Sequence, residues 1–331
     1  MFYFPAFNRA RSSNTASAYT KYLFSLLLFG SNGIIAGSIR LESYQIILLR
    51  TFLGSLLLLM VCAATHSLRG VMKHKRELLF VILSGVCMGI SWMFQYEAYR
   101  RIGIGITSLL YCLGPILVVI LARVLFREGI TLKKGVCLAA VTIGAILTGG
   151  VSVRQGANAI GILCALMCAF AYAGMILLNK KNKSIAGLSN PAIQLTAAFA
   201  TALLYSSVRW LANSAPSIHL SSDEWLPVLL LGLMNTGIGC YLYFSSIPKI
   251  PAQTVAVCDY IEPLSAFILA ALILHESISG LQIAGAVLIV IGAAAWNIVP
   301  RPRTSDRALN LSGQRKRSAV FHVPDVRMEL K

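Results

Sequence analysis

The sequence predicts an all-α integral membrane protein of ten transmembrane helices, arranged as two inverted five-helix repeats. Three observations predict it. Apolar residues gather in ten blocks of roughly 20, the length that crosses a hydrocarbon core about 30 Å thick. The same landmarks recur 148 positions apart: Pro115, Glu128 and Gly144 return as Pro263, Glu276 and Gly292. The basic residues cluster in alternate connections, the pattern that orients membrane helices. Composition agrees: 57% of the 331 residues are hydrophobic and 12% charged, against about 25% charged in an ordinary soluble domain. A water-facing surface of normal size cannot be built from so few charges, and no stretch remains for a separate soluble domain.

Residues 1–19 read as a cytoplasmic tail. Arg9 and Arg11 lead into the polar run Ser12 to Ser17, not into an apolar core with a small-residue cleavage site, so the first span is expected to be retained. The first repeat, 20–152, holds spans 20–37, 44–64, 78–98, 103–125 and 133–152. Its fourth span is interrupted by Pro115, and its fifth is dotted with glycine. The second repeat, 159–299, holds spans 159–179, 191–212, 226–246, 252–274 and 280–299, with Pro263 interrupting the ninth. Residues 300–331 are polar and basic, read as a disordered cytoplasmic tail that can rest on anionic lipid through Arg301, Arg303, Arg315, Lys316 and Arg317.

Five spans per repeat force the second copy to enter the membrane from the opposite side, so the repeats must be inverted about an axis in the membrane plane. Arg69, Lys73, Lys75 and Arg76, then Arg123, Arg127, Lys133 and Lys134, then Lys180, Lys181 and Lys183 all fall on the side of the N-terminus. The opposite connections hold Arg40, Arg100, Arg101, Arg154 and Arg209. Both termini are therefore expected in the cytoplasm, in the cell (inner) membrane; the Arg100-Arg101 pair is the one loop that argues otherwise. The net charge of +17 belongs to these loops and the tail, so nucleic acid is not an expected partner. All eight cysteines lie within apolar spans, where neither a disulfide framework nor a metal site is expected.

Specific residues sharpen the reading. The second repeat carries Tyr260-Ile261-Glu262-Pro263-Leu264, then His275-Glu276-Ser277, then Leu281-Gln282-Ile283-Ala284-Gly285 and Gly292. The first carries Leu113-Gly114-Pro115, Arg127-Glu128 and Gly144, after Gly30-Ser31-Asn32 and Arg50. In these features residues 20–299 resemble the drug/metabolite transporter superfamily in its form with two EamA-type repeats. The resemblance implies a secondary active transporter of a small metabolite, alternating in access, with efflux as the expected direction and uptake or exchange as the alternative. A non-transporting membrane scaffold is the alternative of another class. The first repeat departs from the pattern at Gly114, where no glutamate precedes the proline.

Charges at bilayer depth cost on the order of 2.5–3.5 kcal/mol each, which singles out Arg50, Glu97, Asp259 and Glu262. Asp259 and Glu262, three residues apart, would point the same way on a helix. Two such carboxylates in low dielectric do not both ionise easily, which is what a proton-coupling site needs. Arg50 could bind a substrate anion bidentately, pair with Glu262, or snorkel to the interface. Glu97 beside Arg100 and Arg101 is also explained by a local ion pair. Asn32 and Asn235 either hold a polar substrate or hydrogen-bond across helices. Trp92, Tyr96, Tyr111, Tyr172, Tyr241 and Tyr260 are candidate cavity walls, and Pro115 and Pro263 mark helix breaks.

Enzyme chemistry is not expected. His-Glu-x-x-His, Gly-x-Ser-x-Gly and phosphate-binding Gly-Lys-Ser/Thr motifs are missing from the sequence, and no cofactor is expected. The expected partners are a small-molecule substrate, the lipid bilayer and protons; oligomeric state is left open.

Overall fold

The computed structural model describes residues 6–126, 132–154, 158–212, 218–246, 259, 261–275 and 279–298. Among them all regular structure is helical: α1 (Ala6–Gly30), α2 (Asn32–Gly37), α3 (Ser43–Ala64), α4 (Lys75–Ile102), α5 (Ile104–Tyr111), α6 (Leu113–Phe126) and α7 (Leu132–Arg154). Then come α8 (Ala159–Lys180), α9 (Ser189–Leu211), α10 (Trp225–Leu229), a π-helical stretch Leu230–Ile238, α11 (Gly239–Ser246), α12 (Ile261–Ile273) and α13 (Gly280–Ile298). A single 3₁₀ turn, Val71–Lys73, precedes α4. Residues 127–131, 252–258, 276–278 and 299–331, including Glu128, Glu276 and the C-terminal tail, lie outside the described residues.

Among the described residues, five helical runs are long and apolar enough to cross a membrane: α3, α4, α8, α9 and the continuous Trp225–Ser246. The polarity of the bundle is inside out. Leu27, Phe52, Leu204, Val208 and Ile291 face outward, while Arg50, Ser84, Thr107, Gln194 and Thr236 are buried. Lipid as the solvent explains this, because apolar surface costs nothing there and polar groups must find partners within the bundle. Ser84 shows how they do so: its hydroxyl donates to the Met175 carbonyl (2.8 Å) and to Gln194 Oε1 (2.9 Å), tying α4 to α8 and α9.

The boundaries depart from the periodicity in informative places. Helix α1 starts at Ala6, well inside the expected tail, since no glycine or proline stops it before Gly30. The first span is broken at Ser31 and the fourth at Cys112. Helices α6 and α12 restart at Leu113 and Ile261, which are repeat-equivalent positions. Each places its proline third in the first turn, where a missing N–H has no intrahelical partner to lose.

Packing obeys the same offset. Helix α4 lies on α8, and the Trp225–Ser246 run lies on α1; α4 also meets α9 as the π-helical stretch meets α3; α5 and α6 meet α8 as α12 meets α1. Helices α7 and α13 approach closely through glycine on both sides. A Cβ on Gly144 would stand 2.7 Å from the Gly285 carbonyl oxygen and 2.8 Å from Ile289. A Cβ on Gly292 would stand 3.0 Å from the Cys137 carbonyl oxygen and 2.9 Å from Val141. Cys137 and Gly285, like Val141 and Ile289, are themselves equivalents, so the contact is reciprocal, as across a two-fold axis. Positions rise along one helix as they fall along the other: α7 and α13 cross antiparallel.

Candidate functional site

The site begins at the break between α1 and α2. Gly30 allows it, because a Cβ there would collide with Ser265 and lie 3.1 Å from the Glu262 carbonyl oxygen. Helix α1 can therefore press directly onto the start of α12. Asn235 holds the break: its Nδ2 donates to the Leu28 carbonyl (2.7 Å), Ser31 Oγ (3.0 Å) and Asn32 Oδ1 (3.0 Å). Of the two readings open for these carboxamides, this geometry is the cross-helix bond.

Asn235 is carried by the π-helical stretch, whose wider turn presents neighbouring residues together. Next to it, Thr236 donates its hydroxyl to the Leu231 carbonyl, five residues back, at 2.7 Å. The same oxygen accepts from Arg50 Nε at 2.8 Å. Arg50 is 1% exposed, so it does not snorkel. It donates a second bond to the Tyr96 hydroxyl and stacks 4.4 Å over the Trp92 ring. Its Nη2 makes no hydrogen bond. Nor does Arg50 pair with Glu262: the ion pairs among the described residues are Arg100–Glu42 at 2.5 Å and Arg101–Glu97 at 2.6 Å. Glu97 is thus bound locally at the end of α4, with the Ser43 hydroxyl 3.0 Å away.

The two acidic residues of the ninth span part company. Asp259 is not on a helix with Glu262, as their spacing suggested; it occupies the turn before α12. Proline at 263 makes a helix start there, which leaves Asp259 outside it. Its carboxylate is surrounded by tyrosines. Oδ1 accepts from the Tyr22 hydroxyl and, at 3.2 Å, from Tyr243; Oδ2 accepts from Tyr172 at 3.5 Å. These bonds fasten α1, α8 and α11 to one turn. Glu262 sits in the first turn of α12, where the helix N-terminus favours negative charge. It accepts no hydrogen bond among the described residues.

Glu262 faces a small cavity of about 40 Å³. The walls are aromatic (Phe29, Trp92, Tyr111, Tyr172, Tyr243, Phe244) and soft (Met88, Met175, Cys240), with Asn32 and Ser91 as the neutral polar groups. A larger vestibule of about 520 Å³ lies beside it, lined by Gly33, Arg40, Glu42, Tyr96, Arg100 and Leu274 among others. The wall between them is thin: Asn32 and Trp92 line the cavity, while their neighbours Gly33 and Tyr96 line the vestibule. Arg50 packs on both Trp92 and Tyr96 within that wall.

Of the positions singled out in the sequence, Asn32, Trp92, Tyr111, Tyr172 and Glu262 line the cavity. Arg50, Asn235 and Asp259 stand behind its walls, Tyr96 lines the vestibule, and Tyr241 packs on the main core cluster. Tyr260 lies outside the described residues. Sequence reasoning missed Tyr22, Phe29, Thr236, Tyr243 and Phe244. Tyr22 could have been noticed as a hydroxyl in the first apolar span. Tyr243 could not, because a π-helical stretch shifts the face of every residue after it and periodicity at 3.6 does not register the change.

Among the described residues the protein is a helical bundle with an apolar outer surface and an aromatic cavity that holds a carboxylate. Comparison with known proteins defines its class. The EamA-like transporter family matches residues 17–150 and again 159–298; the chain belongs to that family, within the drug/metabolite transporter superfamily. Among curated relatives, the uncharacterized transporter YxxF of Bacillus subtilis (strain 168) is 23% identical over 286 residues, covering 86% of this chain and 90% of its own length. Protein PecM of Dickeya dadantii (strain 3937) is 22% identical over 208 residues, covering 63% and 69%. One solved crystal structure superposes with a TM-score of 0.61 at 21% identity, covering 87% of this chain and 98% of its own, a likeness of fold.

Proposed function

We propose that this integral membrane protein is a secondary active transporter that exports a small metabolite in exchange for protons, by alternating access between two inverted five-helix repeats, 20–152 and 159–299. Ten spans cross the membrane in this reading, with α1 and α2 counted as one broken span and α5 and α6 as another. The antiparallel, reciprocal crossing of α7 and α13 supports the inversion, since repeats in the same sense would bring their fifth helices together parallel. The basic connections support cytoplasmic termini in the cell (inner) membrane, with the vestibule on the opposite face.

The observation that carries the function is Glu262: a carboxylate in the first turn of α12, facing the cavity, with no hydrogen bond or ion pair to its carboxylate among the described residues. Such a group must take a proton or a ligand. A carboxylate that gives up its proton to bind substrate exchanges one for the other, and an inward proton gradient then drives substrate out. Asp259, already held by three tyrosine hydroxyls, fastens α1 and α8 to the turn before α12 and is the latch that must release when access alternates.

The test is counterflow in liposomes containing the purified protein, with and without an imposed proton gradient. Saturable counterflow, accelerated by the gradient and lost in Glu262→Gln, is the expected result. Flux that does not saturate would point to a channel, and no flux in any condition to a scaffold.

A further inference from the structure

We propose that the edge of the bundle where α4 begins and α8 ends binds one anionic phospholipid, its phosphate against Arg76 and Lys181 and its acyl chains along α4. Two cations from helices distant in sequence meet there on a single ring. The Arg76 guanidinium stands 5.8 Å and the Lys181 ammonium 5.3 Å from the centre of Phe80. Like charges gathered on one ring repel, and a phosphate that meets both turns the repulsion into attraction. No carboxylate of the described residues does so. Their ion pairs, Arg100–Glu42 and Arg101–Glu97, lie at the far end of α4. Glu77, next to Arg76 in sequence, accepts the Ser184 N–H at 2.8 Å. That bond ties the connection after α8 to the start of α4, and so fixes where Lys181 stands.

The surface beneath the two cations identifies the anion as a lipid. Leu79 and Leu83, three and seven positions after Arg76, share its side of α4. They are 52% and 40% exposed, and on a membrane-spanning helix exposed apolar side chains face acyl chains. A phosphate at Arg76 therefore has lipid-facing surface directly below it, the arrangement that fits one amphiphile. Free phosphate would use nothing of Leu79 and Leu83. A phosphatidylcholine head group would bring a third cation to a place that already holds two. The second repeat does not copy the site: 148 positions on, Arg76 and Phe80 are replaced by Glu224 and Val228, and Lys181 corresponds to Gly33. The site is thus confined to the side of the bundle that is rich in basic residues, read above as cytoplasmic, where anionic head groups attract them.

The experiment is native mass spectrometry of the detergent-solubilised full-length protein, titrated with three probes. Dioleoyl phosphatidylglycerol is the anionic lipid, dioleoyl phosphatidylcholine the zwitterionic one, and glycerophosphoglycerol the anionic head group without chains. One phosphatidylglycerol per chain should bind about tenfold more tightly than phosphatidylcholine, and the bare head group should not compete with it. Arg76→Gln with Lys181→Gln should abolish the preference, and Arg76→Gln alone should already reduce it. Lys73→Gln with Lys183→Gln, which removes as much charge from the same side, should leave most of it. Thermal unfolding gives a second readout: phosphatidylglycerol should raise the melting temperature of the parent and of the Lys73/Lys183 variant, and not that of the Arg76/Lys181 variant. The proposal is overturned if the two lipids bind alike, if the bare head group competes, if the folded Arg76/Lys181 variant keeps the preference, or if both double variants lose it equally. These readouts are of binding alone, so a protein without counterflow leaves the lipid site standing, and loss of the lipid site leaves the transporter reading standing.

Discussion

The two repeats share a scaffold and differ in chemistry at one place. Around the starts of α6 and α12, the first repeat has Tyr111, Gly114 and Pro115 where the second has Asp259, Glu262 and Pro263. The prolines and helix starts coincide at the 148-residue offset, so the backbone plan is common. The side chains are not. Gly114 has no room for a counterpart to Glu262, because a Cβ there would stand 2.7 Å from the Tyr172 ring. That ring belongs to the aromatic cavity and reaches Asp259 with its hydroxyl. The two repeats thus share a backbone plan, while its local violation puts in one wall a carboxylate that is unpaired among the described residues. A second carboxylate across the axis would have doubled the desolvation cost for no added partner.

Breaking the asymmetry from its charged side should have the largest effect. Glu262→Gln is expected to cut gradient-driven flux roughly 100-fold with the melting temperature near that of the parent, as read in liposomes and by thermal unfolding. Breaking it from the other side is a packing experiment. Gly114→Leu must expel the Tyr172 ring and with it a bond to Asp259, costing about 3 kcal/mol of stability. The symmetric part of the comparison has its own test. Gly144→Leu and Gly292→Leu should each destabilise by about 1–3 kcal/mol and by similar amounts, since each glycine meets the other's helix through equivalent residues. A large inequality in denaturation would argue against the shared axis.

Smaller effects sharpen the contrast between answered and unanswered carboxylates. Tyr22→Phe removes one of three hydroxyls from Asp259 and should cost about 1 kcal/mol, with flux altered far less than by Glu262→Gln. Glu224, just before α10, offers a carboxylate at the membrane edge whose repeat equivalent is the exposed Arg76. It accepts from Ser221 Oγ (2.6 Å), the Ser221 N–H (2.9 Å) and the Arg40 N–H (2.5 Å). The Ser221 hydroxyl first, then those two N–H groups, hold its carboxyl down to about 2 from an ordinary 4.5. Its contribution to stability is therefore complete above pH 4.5 and fades as the pH falls toward 2. Glu224→Gln should lower the melting temperature by a few degrees at neutral pH and by less in acid.

Much of this molecule was legible in its sequence. Apolar blocks of bilayer length, glycines and prolines recurring at one offset, and a charge too sparse for water are local or periodic properties, and such properties survive in a linear text. They determined the helical membrane class, the duplication and the family. They also picked out Glu262, since a charge in an apolar run is costly wherever the fold puts it. What tertiary structure decided was which charges are answered. The spacing of Asp259 and Glu262 suggested a pair; a helix start at Ile261 separated them and turned one toward three tyrosines drawn from α1, α8 and α11. Arg50 became a buried prop for the wall, not a salt-bridge partner, through Thr236 in a π-helical turn that no periodicity announces. Partnership between residues far apart in the chain depends on how helices meet in three dimensions, and that is where hydrogen bonds across the bundle assign one carboxylate to the scaffold and leave the other to the cavity.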